Sequence, residues 1–392
     1  MLKKMHKKML THLLFSIIFC IPFWVNAELA VFTASTETTA ITATTATNVT
    51  TAMATAPTAA AFATVTPNPN LVFPRDHGAH PAFRTEWWYV TGQVQTDSGK
   101  PFGFQVTFFR SRSGIGEDSK SQFAPSQILF AHAAIADPAW GKLRHDERAG
   151  RAGFGYAAKT DEMNIKLDHW TMKMVGDTII AHIPARDFNL DLRMAITRQP
   201  LLQGDAGFSR KGPASSQASY YVSLPQLKVS GQIRINGKAE AVTGTAWFDH
   251  EWSSEYLASD AVGWDWLGAN FDDGGALMAF QMRDRKGAIL WAGGTRVLAD
   301  GTILKLGREA VAFQANTTWK SPRTGALWPV GTTLKVGNEV FEIQPWFNDQ
   351  ELDSSRSTGV IYWEGAVDIV RNQQRMGRGY LELTGYAKSI KF

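Results

Sequence analysis

Thiol chemistry is nearly absent from this sequence. There is one cysteine, Cys20, among 392 residues. A lone thiol excludes an internal disulfide, a thiolate metal cage and any Cys-x-x-Cys redox motif. Charge is also sparse, at 19%. No Gly-x-Ser-x-Gly elbow is present to supply a serine nucleophile. No Walker loop occurs, and no dinucleotide fingerprint opens a helix. The glycines at Gly150, Gly153 and Gly155 read as a loop. No long stretch holds a 3.6-residue apolar period, which leaves little room for helices.

The N-terminus explains the apparent basic charge. Lys3, Lys4, Lys7 and Lys8 precede an almost wholly apolar run over 13–25, and Val25-Asn26-Ala27 offers cleavage-type residues. This predicts a secretory signal peptide over 1–27, cut after Ala27, and a secreted, periplasmic protein; an uncleaved anchor is the alternative. Cys20 lies inside that segment, between residues that make a poor lipobox. Cleavage removes four of the 40 basic residues and none of the 36 acidic ones, which leaves the charges balanced. A nucleic-acid partner therefore loses its electrostatic basis. Residues 28–70 are dominated by Thr and Ala and predict a disordered linker.

What the chain has in quantity is aromatic rings and glycine: 14 Trp, 23 Phe and 34 Gly. These favour strands and tight turns. Alternation predicts strands over 85–91 and 102–110, joined by a turn at Thr96-Asp97-Ser98-Gly99. Further strands are expected over 127–136, 164–175, 178–183, 188–196, 226–235 and 239–252. The second half continues with 263–271, 276–283, 289–298, 302–306, 341–346, 359–370 and 379–384. Short strands at regular spacing mean a sandwich or barrel. Trp87-Trp88-Tyr89, an acidic-Gly turn and Phe104-Gln105 are echoed by Trp264-Asp265-Trp266, Asp272-Asp273-Gly274 and Phe280-Gln281. The echo predicts two related β domains, 71–252 and 253–392.

The stretch Trp247-Phe248-Asp249-His250-Glu251-Trp252 concentrates the candidate chemistry. In a strand, Trp247, Asp249 and Glu251 share one face and Phe248, His250 and Trp252 the other. The two carboxylates then stand about 6.5–7 Å apart. Buried carboxylates beside indoles must be paired or protonated. Asp249, His250 and Glu251 are the candidate catalytic residues, with Asp249 as general acid and Glu251 or His250 activating water. A structural ion pair with Arg84 or Arg110 is the competing reading, and Asp265 is a possible partner for His250. Trp87, Trp88, Tyr89, Glu86, Trp247, Trp252, Trp264 and Trp266 are the candidate ligand-binding residues. No metal is expected. His77 and His80 have ligand-like spacing, but Gly78 and Pro81 make that segment a loop.

Five motifs in order carry a resemblance: residues 73–80, 84–92, 102–110, 247–252 and 263–266. Together they resemble the AttH-like family of secreted lipocalin-like proteins, related to carotenoid hydratases (hydroxyneurosporene synthases). The resemblance implies an all-β fold of two tandem lipocalin-like antiparallel β-barrel domains. It implies an apolar or amphipathic ligand, a lipid or isoprenoid, and a link to an ABC export system. It also implies, for the hydratase branch, addition of water to a double bond without a cofactor; hydrolysis is the other reaction attached to the family. The hydratase branch carries Asn where this chain has Glu251.

Overall fold

Side chains that alternate in and out dictate pleated strands, and 23 of them form in the computed structural model, which describes residues 61–390 apart from 122 and 154. No α-helix occurs among the described residues. The expected signal peptide and most of the expected linker lie outside them. Residues 61–70, expected as the end of that linker, pack instead: Val65 is buried against Phe208 and Ala218, and the Ala63 N–H bonds the Ala82 carbonyl.

The first sheet comprises β1 (Thr85–Thr96), β2 (Pro101–Arg112), β3 (Gln127–Ala136), β4 (Arg144–Arg151), β5 (Ala157–Ala158), β6 (Asn164–Leu167) and β7 (Trp170–Val175). It continues with β8 (Thr178–Pro184), β9 (Phe188–Ala195), β10 (Leu201–Leu202), β11 (Phe208–Arg210), β12 (Ala218–Ile235) and β13 (Lys238–Ser253). The second sheet comprises β14 (Ala261–Phe271), β15 (Ala276–Asp284), β16 (Ile289–Val297), β17 (Ile303–Leu306) and β18 (Val311–Lys320). Its remaining strands are β19 (Leu327–Val336), β20 (Glu339–Pro345), β21 (Glu351–Ser354), β22 (Val360–Arg371) and β23 (Gln374–Leu383).

Every pairing between these strands is antiparallel. Each sheet places its first strand between its second and its last: β2-β1-β13 in one, β15-β14-β23 in the other. Both curl on themselves. Arg148 on β4 lies 4.8 Å over the Trp170 ring on β7, and the Phe313 N–H on β18 reaches Gln281 Oε1 on β15 at 3.1 Å. The protein is thus all-β, with two tandem lipocalin-like barrels. Each interior holds its own apolar core, one around Trp88, Phe104, Phe108 and Trp170, the other around Trp328 and Trp363.

Where the fold departs from the sequence reading, local chemistry gives the reason. The strand expected over 164–175 is broken by a turn at Asp168, which adopts φ 59°; Asp tolerates that left-handed backbone better than most residues. Gly150 is not in a loop but in β4, where an added Cβ would meet the Tyr156 ring at 2.7 Å. In β12 the register shifts between Leu224 and Leu227. Gln226 in that bulge takes φ 57° and sends its amide to the Phe271 and Gly275 carbonyls of the second sheet. The bulge therefore re-aims a side chain to fasten the sheets together.

Candidate active site

A third apolar cluster lies between the sheets, around Tyr89, Tyr221, Trp247, Trp266, Phe280, Ala366 and Tyr380. Beside it is a cavity of about 280 Å³. Its position follows from strand alternation. Tyr89 faces Asp249 across the β1–β13 ladder, and Trp87 faces Glu251. These four side chains point to the cavity, together with Tyr221, Trp264 and Trp266. Glu86, Trp88, His250 and Trp252 point the other way, into the first barrel.

Asp249 is buried and heavily held. Its Oδ1 accepts from Ser223 at 2.5 Å and from the Trp247 indole at 2.7 Å, while Oδ2 accepts from the Tyr221 hydroxyl at 2.5 Å. The Tyr221 hydroxyl is itself fixed by the Trp266 indole N–H at 3.0 Å. Burial raises the carboxyl to about 7, against the three donors and with help from the Glu251 charge. Such a group carries a proton at neutral pH for part of the time, which suits a general acid.

Glu251 has a different environment. Lys211 Nζ stands 3.0 Å from its Oε1, and Ser219 donates to the same oxygen. Burial pushes Glu251 up and Lys211 down, and each charge opposes the shift of the other. Lys211 also lies 4.5 Å over the Tyr221 ring and 4.3 Å over Phe280. Two carboxyls on one strand therefore divide into an acid without a cation and a carboxylate with one, the asymmetry that separates acid from base roles.

The second sheet adds two more acids. Glu364 and Glu382 are directly opposed on β22 and β23, and both line the cavity. Glu364 accepts from Tyr89 at 2.8 Å and Glu382 from the Trp264 indole at 2.7 Å. Burial is the main cause that raises both, Glu382 to about 8, and the facing carboxylate drives Glu364 further up. Farther along the wall, His132 Nε2 is 3.0 Å from Ser357 Oγ, whose hydroxyl and backbone N–H both serve Glu147. Burial holds His132 neutral, down to about 3.

The sequence-predicted residues therefore separate into two groups. Asp249, Glu251, Trp87, Tyr89, Trp264 and Trp266 meet at the cavity, and Trp247 braces Asp249. His250, Glu86, Trp88 and Trp252 do not: a residue of opposite parity on a strand cannot reach the same side. His250 pairs with Glu86 at 2.9 Å and is stacked on Trp88 with ring centroids 4.8 Å apart. It is not a partner of Asp265, which Arg283, Gln281 and Tyr386 satisfy. Arg110 does not serve the seam either; it binds Glu86 at 2.7 Å inside the barrel. Against burial, the bonds from His250 and His80 and the Arg110 charge hold Glu86 well below the usual range. His80 joins this network at 2.8 Å from Glu86 and stacks on Trp252 at 3.8 Å, whereas His77 packs on Phe73.

Lys211, Tyr221, Ser223, Glu364, Glu382 and His132 were not foreseen. An acid set in an apolar run, as in Tyr380-Leu381-Glu382-Leu383, is the signal that marks two of them. Lys211 sits in Arg210-Lys211-Gly212-Pro213, which reads as an ordinary basic turn.

Among curated proteins none matches the sequence. Among solved structures, an AttH-type protein from Nitrosomonas europaea is 48% identical, with a TM-score of 0.78 over 83% of this chain and 100% of the other. Kievitone hydratase from Nectria haematococca shares the fold at 14% identity, with a TM-score of 0.64 over 84% of this chain and 97% of its own. The AttH-like family model matches residues 64–386. On that match and the 48% identical relative, the chain belongs to the AttH-like family.

Proposed function

We propose that the cavity between the sheets binds a compact amphipathic molecule bearing a carbon–carbon double bond and adds water to it. The observation that carries this reading is Asp249: a buried carboxyl on the cavity wall, raised to about 7 and facing aromatic rings. Its proton goes to one alkene carbon, forming a C–H bond as the O–H bond breaks. The adjacent carbon becomes cationic and is stabilised by the ring faces of Trp87, Trp264 or Trp266. Water attacks that carbon, and its surplus proton passes to Glu251, which Lys211 favours as the anion. Exchange with solvent restores both groups. No redox cofactor enters this balance. A fold shared with a protein named a hydratase is compatible with the reading.

The cavity volume bears on the ligand. At about 280 Å³ it lies at the lower bound of small-molecule sites, which favours a short isoprenoid or a hydroxylated ring over a long carotenoid. The neutral acids Glu364 and Glu382 can donate to ligand hydroxyls. Binding and carriage without turnover is the second reading, favoured by the apolar walls alone. The basic and apolar N-terminus supports export to the periplasm, where an ABC export system is the proposed partner. Solvent extraction of protein purified from the periplasm, followed by mass spectrometry, tests the ligand class. A stoichiometric unsaturated amphiphile is the expected result; a protein that neither retains nor takes up such a compound overturns the proposal.

A further inference from the structure

Inside the first barrel, on the far side of β13 from the cavity, three potential ligands converge. His80 Nδ1 lies 2.8 Å and His250 Nε2 2.9 Å from the same oxygen, Glu86 Oε1, and all three atoms lie within 4.8 Å of one another. Two imidazoles and one carboxylate are a donor set for zinc or iron(II). Around a tetrahedral ion, metal–ligand bonds of about 2.0–2.1 Å put neighbouring donor atoms about 3.3 Å apart, so an ion that replaces the two hydrogen bonds needs the donors to part by only a few tenths of an ångström.

The surroundings fit an ion as well. The rings are already fixed, His80 by stacking on Trp252 and His250 between Trp88 and Trp252. Arg110 holds the other Glu86 oxygen at 2.7 Å, and the His80 backbone N–H donates to both oxygens, so the carboxylate is fixed with Oε1 toward the two imidazoles. Asp76 Oδ1 stands 3.7 Å from His80 Nε2, just beyond hydrogen-bond reach, on the side of the ring away from Glu86. His250 Nδ1 offers a second indication. It is buried and makes no hydrogen bond of ordinary geometry. If Nε2 donates to Glu86, Nδ1 is a buried acceptor with no donor. If Nε2 binds a metal, Nδ1 carries the proton instead.

We propose that His80, Glu86 and His250 form a site for a divalent transition metal, zinc or iron(II), which fastens the loop carrying His80 to β1 and β13. Of the two histidines with ligand-like spacing in the sequence, the site takes His80 and not His77.

Zinc is the probe. The intact protein, stripped with chelator, is titrated with zinc by calorimetry and followed by thermal unfolding. One equivalent should bind and raise the Tm. His80→Ala should weaken binding at least about tenfold, as loss of a direct ligand must exceed the loosest effect of an outer-shell change. His182→Ala, at an exposed imidazole paired with Asp191, should leave binding intact. Nitrogen-15 NMR of the wild-type imidazoles gives a readout independent of any variant's folding: zinc should move the His80 proton from Nδ1 to Nε2. Absence of stoichiometric binding, equal binding by His80→Ala, or unchanged imidazole protonation overturns the site.

Discussion

Asp249→Asn should make the stability of this protein less dependent on pH, by an amount the structure sets. Asp249 is 2% exposed and raised to about 7 from an ordinary value of 3.8. The native state therefore holds this proton more tightly than the unfolded chain. Its stabilising effect is complete below about pH 4 and is lost as pH rises through about 7. A shift of about three units at about 1.36 kcal/mol each amounts to roughly 4 kcal/mol. Asn is neutral throughout, so the variant lacks this loss. It will carry a constant offset, because its amide NH₂ faces one of the donors Tyr221, Ser223 or Trp247. Urea unfolding of both proteins from about pH 4 to 8 measures the gap between them. The gap should move by roughly 4 kcal/mol in favour of the variant as pH rises. Glu364 and Glu382 titrate in both proteins and largely cancel, apart from the Asp249 charge that helps raise Glu382. A gap that stays flat with pH refutes a protonated Asp249 in the native state.

Two further perturbations probe the frame around the site. Gly103→Ala places a methyl group 2.7 Å from the Ala366 Cβ across the sheet interface, which should cost about 1–3 kcal/mol; Ala366→Gly in the same chain should recover most of it, as a double-mutant cycle by urea unfolding will show. Arg110→Met leaves the fully buried Glu86 with two imidazoles and the His80 backbone N–H but no guanidinium, and should cost about 3–5 kcal/mol. Because Glu86 is depressed, its contribution is present above about pH 4 and fades as pH falls, so the Arg110→Met deficit should shrink in acid.

Much of this architecture was legible because alternation is a local property. Hairpin β1–β2 follows from Trp87-Trp88-Tyr89, the turn at Gly99 and the return through Phe104, and the parity of 247–252 assigned Asp249 and Glu251 to one face. Strands β4, β18 and β19 were not legible. β4 reads Arg144-His145-Asp146-Glu147-Arg148, and its charges are those of a strand at the end of a sheet rather than of a loop. β18 exposes most of its side chains, so the alternation that marks a half-buried strand is absent. The site was legible only by half, for a different reason. Asp249 gains its character from Tyr221 and Ser223 on β12, and its charge in turn helps raise Glu382, 133 positions away on β23. Nothing local in Lys211 announces its place beside Glu251. His250 was grouped with Asp249 and Glu251 as their neighbour in sequence, and strand parity turns it to the opposite face, against Glu86.

The central claim is that Asp249 donates a proton in the cavity between the sheets. The most direct measurement incubates wild type and Asp249→Asn with the extracted unsaturated compound in oxygen-18 water, with ligand binding followed in parallel. The account predicts a wild-type product heavier by one labelled water, and a variant that binds the compound but forms no such product. Equal label incorporation by the variant would contradict it.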